Sequence, residues 1–171
     1  MDMSGHKCNG VLRGYKGGPY EGGNRVPLLA RWPGKVPAGS VSGALVCTVD
    51  LLATAAALTG QTLAESDSAG PDSISFLPAL LSESAETPGR AHLVTQSGNF
   101  RDLAVRQGPW KLIPAAAQTA KKAARSAELY RLDIDLSETN NLAAQHPDKV
   151  RELSSLLEQI RSTGRSRSMG K

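Results

Sequence analysis

The residues best equipped for chemistry lie close together in the chain. His6, Lys7, Arg13, Lys16, Glu21 and Arg25 all fall within residues 5–25, GHKCNGVLRGYKGGPYEGGNR, which also hold seven glycines. That glycine density forbids a regular helix and predicts a looped backbone passing close to something. A lysine on such a loop presents its ammonium as a mobile point charge, without the bidentate geometry of guanidinium, so Lys16 in GYKGG suits an anion. The spacing is not that of a nucleotide loop: GxxxxGK followed by Ser or Thr is absent, and so is GxGxxG. Glu21 has no second carboxylate nearby in sequence and reads as an ion-pair partner or backbone acceptor before a general base. His6 is a candidate proton donor or an ordinary polar contact.

Other chemistries find less support. No GxSxG elbow occurs, so His92 and His146 have no serine nucleophile to serve. Cys8 and Cys47 form neither a CxxC nor a Cys/His set at zinc spacing; they read as idle or buried thiols, or as a pair in an oxidising compartment. Asp133, Asp135 and Glu138 suggest an acidic calcium loop, but the D-x-[DN]-x-[DN]-G pattern fails after its second position, which leaves turn residues.

Several elements must position these groups. Val26–Trp32 is a short apolar run closed by Pro33-Gly34, which predicts a buried strand and a turn, and Pro37–Ser40 predicts another turn. Asp50 followed by LLATAAAL and Gly60 predicts a capped helix. Residues 64–74 are polar and turn-rich. Ile74–Leu81 predicts one or two helical turns, with Pro78 near the start of the second. From residue 91 the pattern changes to short β-type segments: His92–Thr95, Leu103–Arg106, Trp110–Ile113 and Glu128–Leu132. Gln107-Gly108-Pro109 between the second and third is a hairpin signal. Pro147 then opens a helix to Ile160, with Val150, Leu153, Leu156, Leu157 and Ile160 on one apolar face that must pack on the small antiparallel sheet.

Composition sets the limits. A chain of 171 residues with 40% hydrophobic and 21% charged residues is ordinary for a globular protein. At this size it buries roughly 70% of its unfolded surface. Aromatics are only 4%, so the core must rest on Leu, Val, Ile and Ala. No apolar run reaches the ~18 residues of a membrane span, and Met1–Gly10 lacks the apolar stretch of a signal peptide. The net charge of +4 does not argue for nucleic acid. Arg161, Arg165, Arg167 and Lys171 sit among Ser and Gly as a basic tail, expected to be disordered. Lys121, Lys122 and Arg125 lie among alanines, with no aromatics interleaved for base stacking.

The run Asn9-Gly-Val-Leu-Arg-Gly-Tyr-Lys16-Gly-Gly-Pro-Tyr-Glu21-Gly-Gly-Asn-Arg25-Val-Pro27, continuing to Trp32-Pro-Gly, closely resembles the arylsulfatase-type signature of the sulfatase family. Asp50–Thr54 with Leu58-Thr-Gly60 resembles the helix that follows it. Asp72–Ser75 and Leu77–Leu81 resemble the next segment, which is usually written with Gly after the Asp. Val105–Ile113, Glu128–Asp133 and Glu138–Ala143 resemble the family's carboxy-terminal subdomain. The resemblance covers nearly the whole chain in the right order.

The resemblance implies an α+β arrangement. Residues 1–88 would be the end of the large alkaline-phosphatase-like α/β domain, residues 89–162 an antiparallel sheet packed by a C-terminal helix, and residues 163–171 a disordered basic tail. It also implies hydrolysis of sulfate esters, with a formylglycine made from Cys or Ser in C/S-x-P-x-R and a calcium ion held by acidic residues. Lys16 matches the family lysine that contacts the sulfate and the nucleophile, with His6 as a second candidate substrate contact. Gly17, Glu21, Gly22, Gly23 and Arg25 would shape the loop. Cys8 lacks the Pro and Arg of the modification motif, and Met1-Asp2-Met3 does not reproduce the family's last metal pair. The chain alone is therefore expected to bind no calcium and to be inactive. The implied partners are a sulfate ester or sulfated glycan and a missing amino-terminal sulfatase half, with no nucleic acid and no membrane. Family members are usually exported, periplasmic or lysosomal. The competing reading is a non-catalytic module binding sulfated glycans through Lys16.

Overall fold

The computed structural model describes residues 6–63, 69–82, 87, 89–98, 102–116 and 124–167. Its elements in order are α1 (Glu21–Asn24), a 3-10 turn (Thr48–Asp50), α2 (Leu51–Leu58), α3 (Leu77–Leu81), β1 (His92–Gln96), β2 (Leu103–Gln107), β3 (Trp110–Ile113), β4 (Glu128–Arg131) and α4 (Pro147–Thr163). The chain is mixed α+β, with a four-stranded sheet in the order β1-β2-β3-β4. It divides into two compact units: residues 1–26 with 94–159, and residues 27–93 with 160–171. The glycine-dense segment, grouped with residues 1–88 in the sequence reading, thus clusters with the sheet. Among the described residues no helix is long and apolar enough to cross a membrane.

In the first unit, β2 and β3 are antiparallel, with Val105 opposite Leu112 and Gln107 opposite Trp110. Their two-residue connection places Gly108 at φ 54°, the positive value a tight hairpin needs at its first loop position. β3 and β4 pair Lys111 with Tyr130 and Leu112 with Leu129. Because side chains alternate along a strand, the sheet has two different faces. Val105, Leu112 and Leu129 form one core with Leu153 and Leu157 of α4, and Val150 and Leu156 pack at its edge. The apolar face predicted for α4 is therefore the one that packs. The other face carries Ala104, Ile113, Tyr130 and Leu132, with Tyr20 of the glycine-dense segment against them.

The second unit is built around a buried carboxylate. Asp50 was expected to cap α2, yet its side chain makes no cap there. It accepts the amides of Cys47 (2.8 Å) and Ile74 (3.0 Å) and pairs with Arg90 at 3.2 Å. Both side chains are 2% exposed, and a buried carboxylate needs its cation more than a helix terminus needs a cap. Arg90 also donates to the carbonyls of His92 (2.8 Å) and Asp72 (3.1 Å). The helix ends as predicted, with Gly60 at φ 74°.

Val26–Trp32 is not a buried strand: Val26 is 70% and Leu29 94% exposed, and no element is assigned to the run. A strand exists only against a neighbour, and no described strand of this chain lies beside it. Residues 163–167, at the start of the expected basic tail, are described. The Ser166 amide and hydroxyl donate to Asp72 (2.7 and 2.6 Å), and the Arg167 amide donates to the Pro71 carbonyl (3.1 Å). Residues 168–171 lie outside the described residues, as do Lys121 and Lys122. Both cysteines are free thiols, Cys8 exposed and Cys47 half-buried.

Candidate functional site

The glycine-dense segment is folded on itself by close backbone approaches. A Cβ at Gly22 would sit 2.5 Å from the Gly14 carbonyl oxygen, and one at Gly23 would sit 2.6 Å from that of Tyr15. No side chain fits at either position, which is the physical reason for the Gly-Gly pair. Asn9 Nδ2 donates to the carbonyls of Gly14 (2.8 Å) and Gly22 (3.0 Å), and the Gly22 amide donates to Arg13 (2.8 Å). The turn holding Lys16 is closed by the Gly18 amide on the Tyr15 carbonyl (3.0 Å) and pinned outside by the Gly98 amide on the Gly17 carbonyl (3.0 Å).

Three charges lock this segment to the sheet. Lys111 on β3 lies 2.8 Å from Glu21 Oε1 and 2.8 Å from Glu138 Oε1, with the three side chains 3%, 8% and 0% exposed. The second oxygen of Glu138 accepts the backbone amide of Glu21 at 2.7 Å. Arg25 Nε closes on the other Glu21 oxygen at 2.6 Å. Burial works to raise the Glu21 pKa, but the ion pair and hydrogen bond with Lys111, followed by Arg25, hold it below the ordinary 4.5. Glu21 is thus an ion-pair partner in the structure, one of the roles the sequence allowed for it.

A second polar knot lies beside it. Arg13 stacks on the Tyr20 ring at 3.9 Å and donates to Tyr130 Oη (2.8 Å) and the Glu138 carbonyl (2.8 Å). Tyr130 and Tyr20 both donate to Glu128, at 2.6 and 3.0 Å. Burial, then the hydrogen bond to Glu128, pushes both phenols above their usual range, so they remain protonated donors. Arg125, grouped in sequence with Lys121 and Lys122 among the alanines, pairs with Asp102 at 3.3 Å.

The result is a selective neutralisation. Arg13, Glu21 and Arg25 are consumed by internal partners. Lys16 and Lys7 are exposed and make no side-chain hydrogen bond or ion pair among the described residues. His6 is exposed, and its carbonyl accepts the Cys8 amide at 3.0 Å. The described contacts include none between His6 and Lys16. Of the exposed Lys7 and Lys16 ammoniums, Lys16 is the one carried on the turn whose backbone is fixed at Gly17 and Gly18, beside the close approaches of Gly22 and Gly23.

The described residues do not fit a calcium ion. Among the described residues no three His, Cys, Asp or Glu side chains converge on a metal position. Glu21 and Glu138 enclose an ammonium. Asp135 spends its oxygens on the amides of Thr139 (3.0 Å) and Asn140 (2.9 Å), and Asp133 pairs with Arg131 at 3.0 Å. These carboxylates are each neutralised or hydrogen-bonded locally and do not converge into the set of about 6–8 oxygens that calcium takes.

Sequence reasoning missed Lys111, Glu138 and the Asp50–Arg90 pair. A signal existed for Lys111, an ionisable residue inside the apolar run Trp110–Ile113, which demands a buried counter-charge. Nothing local marks Glu138 as that partner, because the pairing is set by the fold.

No protein-family model matches the chain. It is similar to the N-acetylgalactosamine-6-O-sulfatase of Bacteroides thetaiotaomicron, 40% identical over 168 residues, which cover 94% of this chain and 32% of the relative. Human arylsulfatase A is 51% identical over 63 residues, 37% of this chain and 12% of that protein. Among solved structures, a Bacteroides thetaiotaomicron protein described under the metabolism of multiple glycosaminoglycans superposes with a TM-score of 0.78 at 38% identity, covering 90% of this chain and 32% of that one. The chain thus spans about a third of the length of the relatives that match it almost throughout.

Proposed function

This chain belongs to the sulfatase family, matching a carboxy-terminal portion of its relatives, and we propose that it serves hydrolysis of a sulfate ester on a sulfated sugar by supplying Lys16 to the sulfate. The observation that carries this reading is the pairing pattern: in a loop rich in charge, Arg13 and Arg25 are built into the fold, and of the exposed Lys7 and Lys16 it is Lys16 that stands on the pinned turn. The sulfated-sugar class is supported by the similarity to an N-acetylgalactosamine-6-O-sulfatase.

Lys16 would act on the sulfuryl oxygens as a positive charge carried on a pinned backbone turn. An ammonium needs no reorganisation when negative charge grows on those oxygens, so its effect is larger in the transition state than in the bound ester. His6 is the second proposed substrate contact, donating a ring N–H to the sulfate. Glu21, Lys111 and Glu138 would do no chemistry; they hold the turn. A formylglycine, when present in a sulfatase, supplies the nucleophile, and this chain contains no C/S-x-P-x-R sequence from which to make one. We therefore propose that the chain by itself does not turn over and works only with the remaining sulfatase portion.

The test is the gene sequence upstream of Met1, read together with ligand binding by this chain. An in-frame C/S-x-P-x-R and acidic metal motif upstream supports the hydrolase. Their absence, combined with sulfated-glycan binding that Lys16→Ala abolishes, would overturn it in favour of a non-catalytic binding module.

A further inference from the structure

Glu138 is the one described non-glycine residue with positive φ, at 52°, and it is fully buried. Residues with a Cβ rarely adopt that conformation, and persistent strain of this kind points to a job for the residue. Three of its atoms engage the Lys16 segment or its support. Oε2 accepts the Glu21 amide at 2.7 Å, the backbone carbonyl accepts Arg13 Nη1 at 2.8 Å, and Oε1 lies 2.8 Å from the Lys111 ammonium that also binds Glu21. The turn that delivers Glu138 is shaped in advance, since the Asp135 carboxylate accepts the Thr139 and Asn140 amides at 3.0 and 2.9 Å. Only Gly17-Gly18-Pro19-Tyr20 separates Lys16 from the residue Glu138 clamps.

We propose that Glu138 is a positioning residue for the anion contact: its carboxylate and carbonyl hold Glu21 and Arg13, and through them set where the Lys16 ammonium stands. The turn after β4 thereby controls sulfate recognition by a loop more than a hundred residues away in sequence. This rests on the reading of Lys16 as the sulfate contact.

The experiment uses the full chain as wild type, Glu138→Gln and Glu138→Gly. The glutamine keeps the shape and loses the charge facing Lys111; the glycine relieves the positive φ and loses the side chain. Two quantities are read by NMR: exchange of the Glu21 and Gly18 amides, and the response of the Lys16 side-chain resonances to inorganic sulfate. Both variants lower the stability of the unit, so exchange of the β2 and β3 amides serves as the reference; the Glu21 and Gly18 amides should speed about tenfold beyond it, and the Lys16 sulfate response should weaken severalfold. Loop amides unchanged, or sped only as much as those of β2 and β3, would overturn the proposal, since the second result marks a merely structural role. A wild-type Lys16 that does not respond to sulfate defeats the sulfate reading alone. In that case, loop amides released over an intact sheet still uphold the clamp by Glu138.

Discussion

Replacing Lys111 with Met tests whether the buried charges hold the first unit together. Met keeps the length and volume of the stem while removing the ammonium. At 2.8 Å from each of two carboxylates, the ammonium gains roughly 6 kcal/mol per pair at an effective dielectric of about 20, most of it offset by desolvation. The substitution leaves Glu21 and Glu138 facing each other without their shared cation, and breaking a buried pair in this way costs about 3–5 kcal/mol. Arg25, still 2.6 Å from Glu21, places the expected loss near the lower end, ~3 kcal/mol, or about 12–24 °C for a cooperative unit of this size. The pH dependence changes sign. In the wild type Glu21 titrates below 4.5, so its contribution is present above that value and is lost as pH falls through the lower folded pKa. In the variant one carboxylate of the pair binds a proton more readily when folded than when unfolded, so stability should rise as pH falls from about 7 to about 5. Urea unfolding across that range is the assay. A loss under ~1 kcal/mol with an unchanged pH slope would refute the reasoning.

Other outcomes follow from the same contacts. Arg90→Met should strip Asp50 of its buried cation and destabilise the second unit by about 3–5 kcal/mol, whereas a surface change such as Arg131→Met should stay within about 0.5 kcal/mol in the same denaturant assay. Burial and the adjacent Arg90 hold His92 below its ordinary 6.5. Its folded pKa is thus depressed, so stability should fall as pH drops from 6.5 toward that lower value, and His92→Phe should flatten this slope in a thermal-shift series. Hydrogen exchange should find residues 103–113 and 150–157 the slowest, since Leu112 and Leu153 are fully buried, and residues 26–32 among the fastest. Protection of 26–32 equal to that of the sheet would count against the exposed placement of Val26 and Leu29.

Most of the regular structure was legible because local signals and tertiary packing agree there. The period of Val150, Leu153 and Leu157 names the buried face of α4, and Gly108 marks the hairpin that sets Val105 opposite Leu112. Val26–Trp32 misled because an apolar run reports a wish for burial, and a neighbouring strand must be present to satisfy it. Asp50 misled because its position before a helix looks like a cap from the sequence, while its true partner lies forty residues on at Arg90. The site was half legible. The proposed anion contact rests on the chemistry of Lys16 and the glycines alone, whereas Lys111 and Glu138 are joined to Glu21 only by the folding of the segment onto β3 and the turn after β4. Long-range ion pairs leave no periodic trace.

The central claim is that Lys16 steadies the sulfate of a sulfatase active centre. It is tested most directly by grafting this chain in place of the matching portion of the Bacteroides thetaiotaomicron N-acetylgalactosamine-6-O-sulfatase, 40% identical, and measuring sulfate release from a 6-sulfated sugar with and without Lys16→Ala. The account predicts an active chimera whose kcat falls about 100-fold or more in the variant, the scale for losing one group that stabilises transition-state charge. An active chimera indifferent to Lys16→Ala would contradict it.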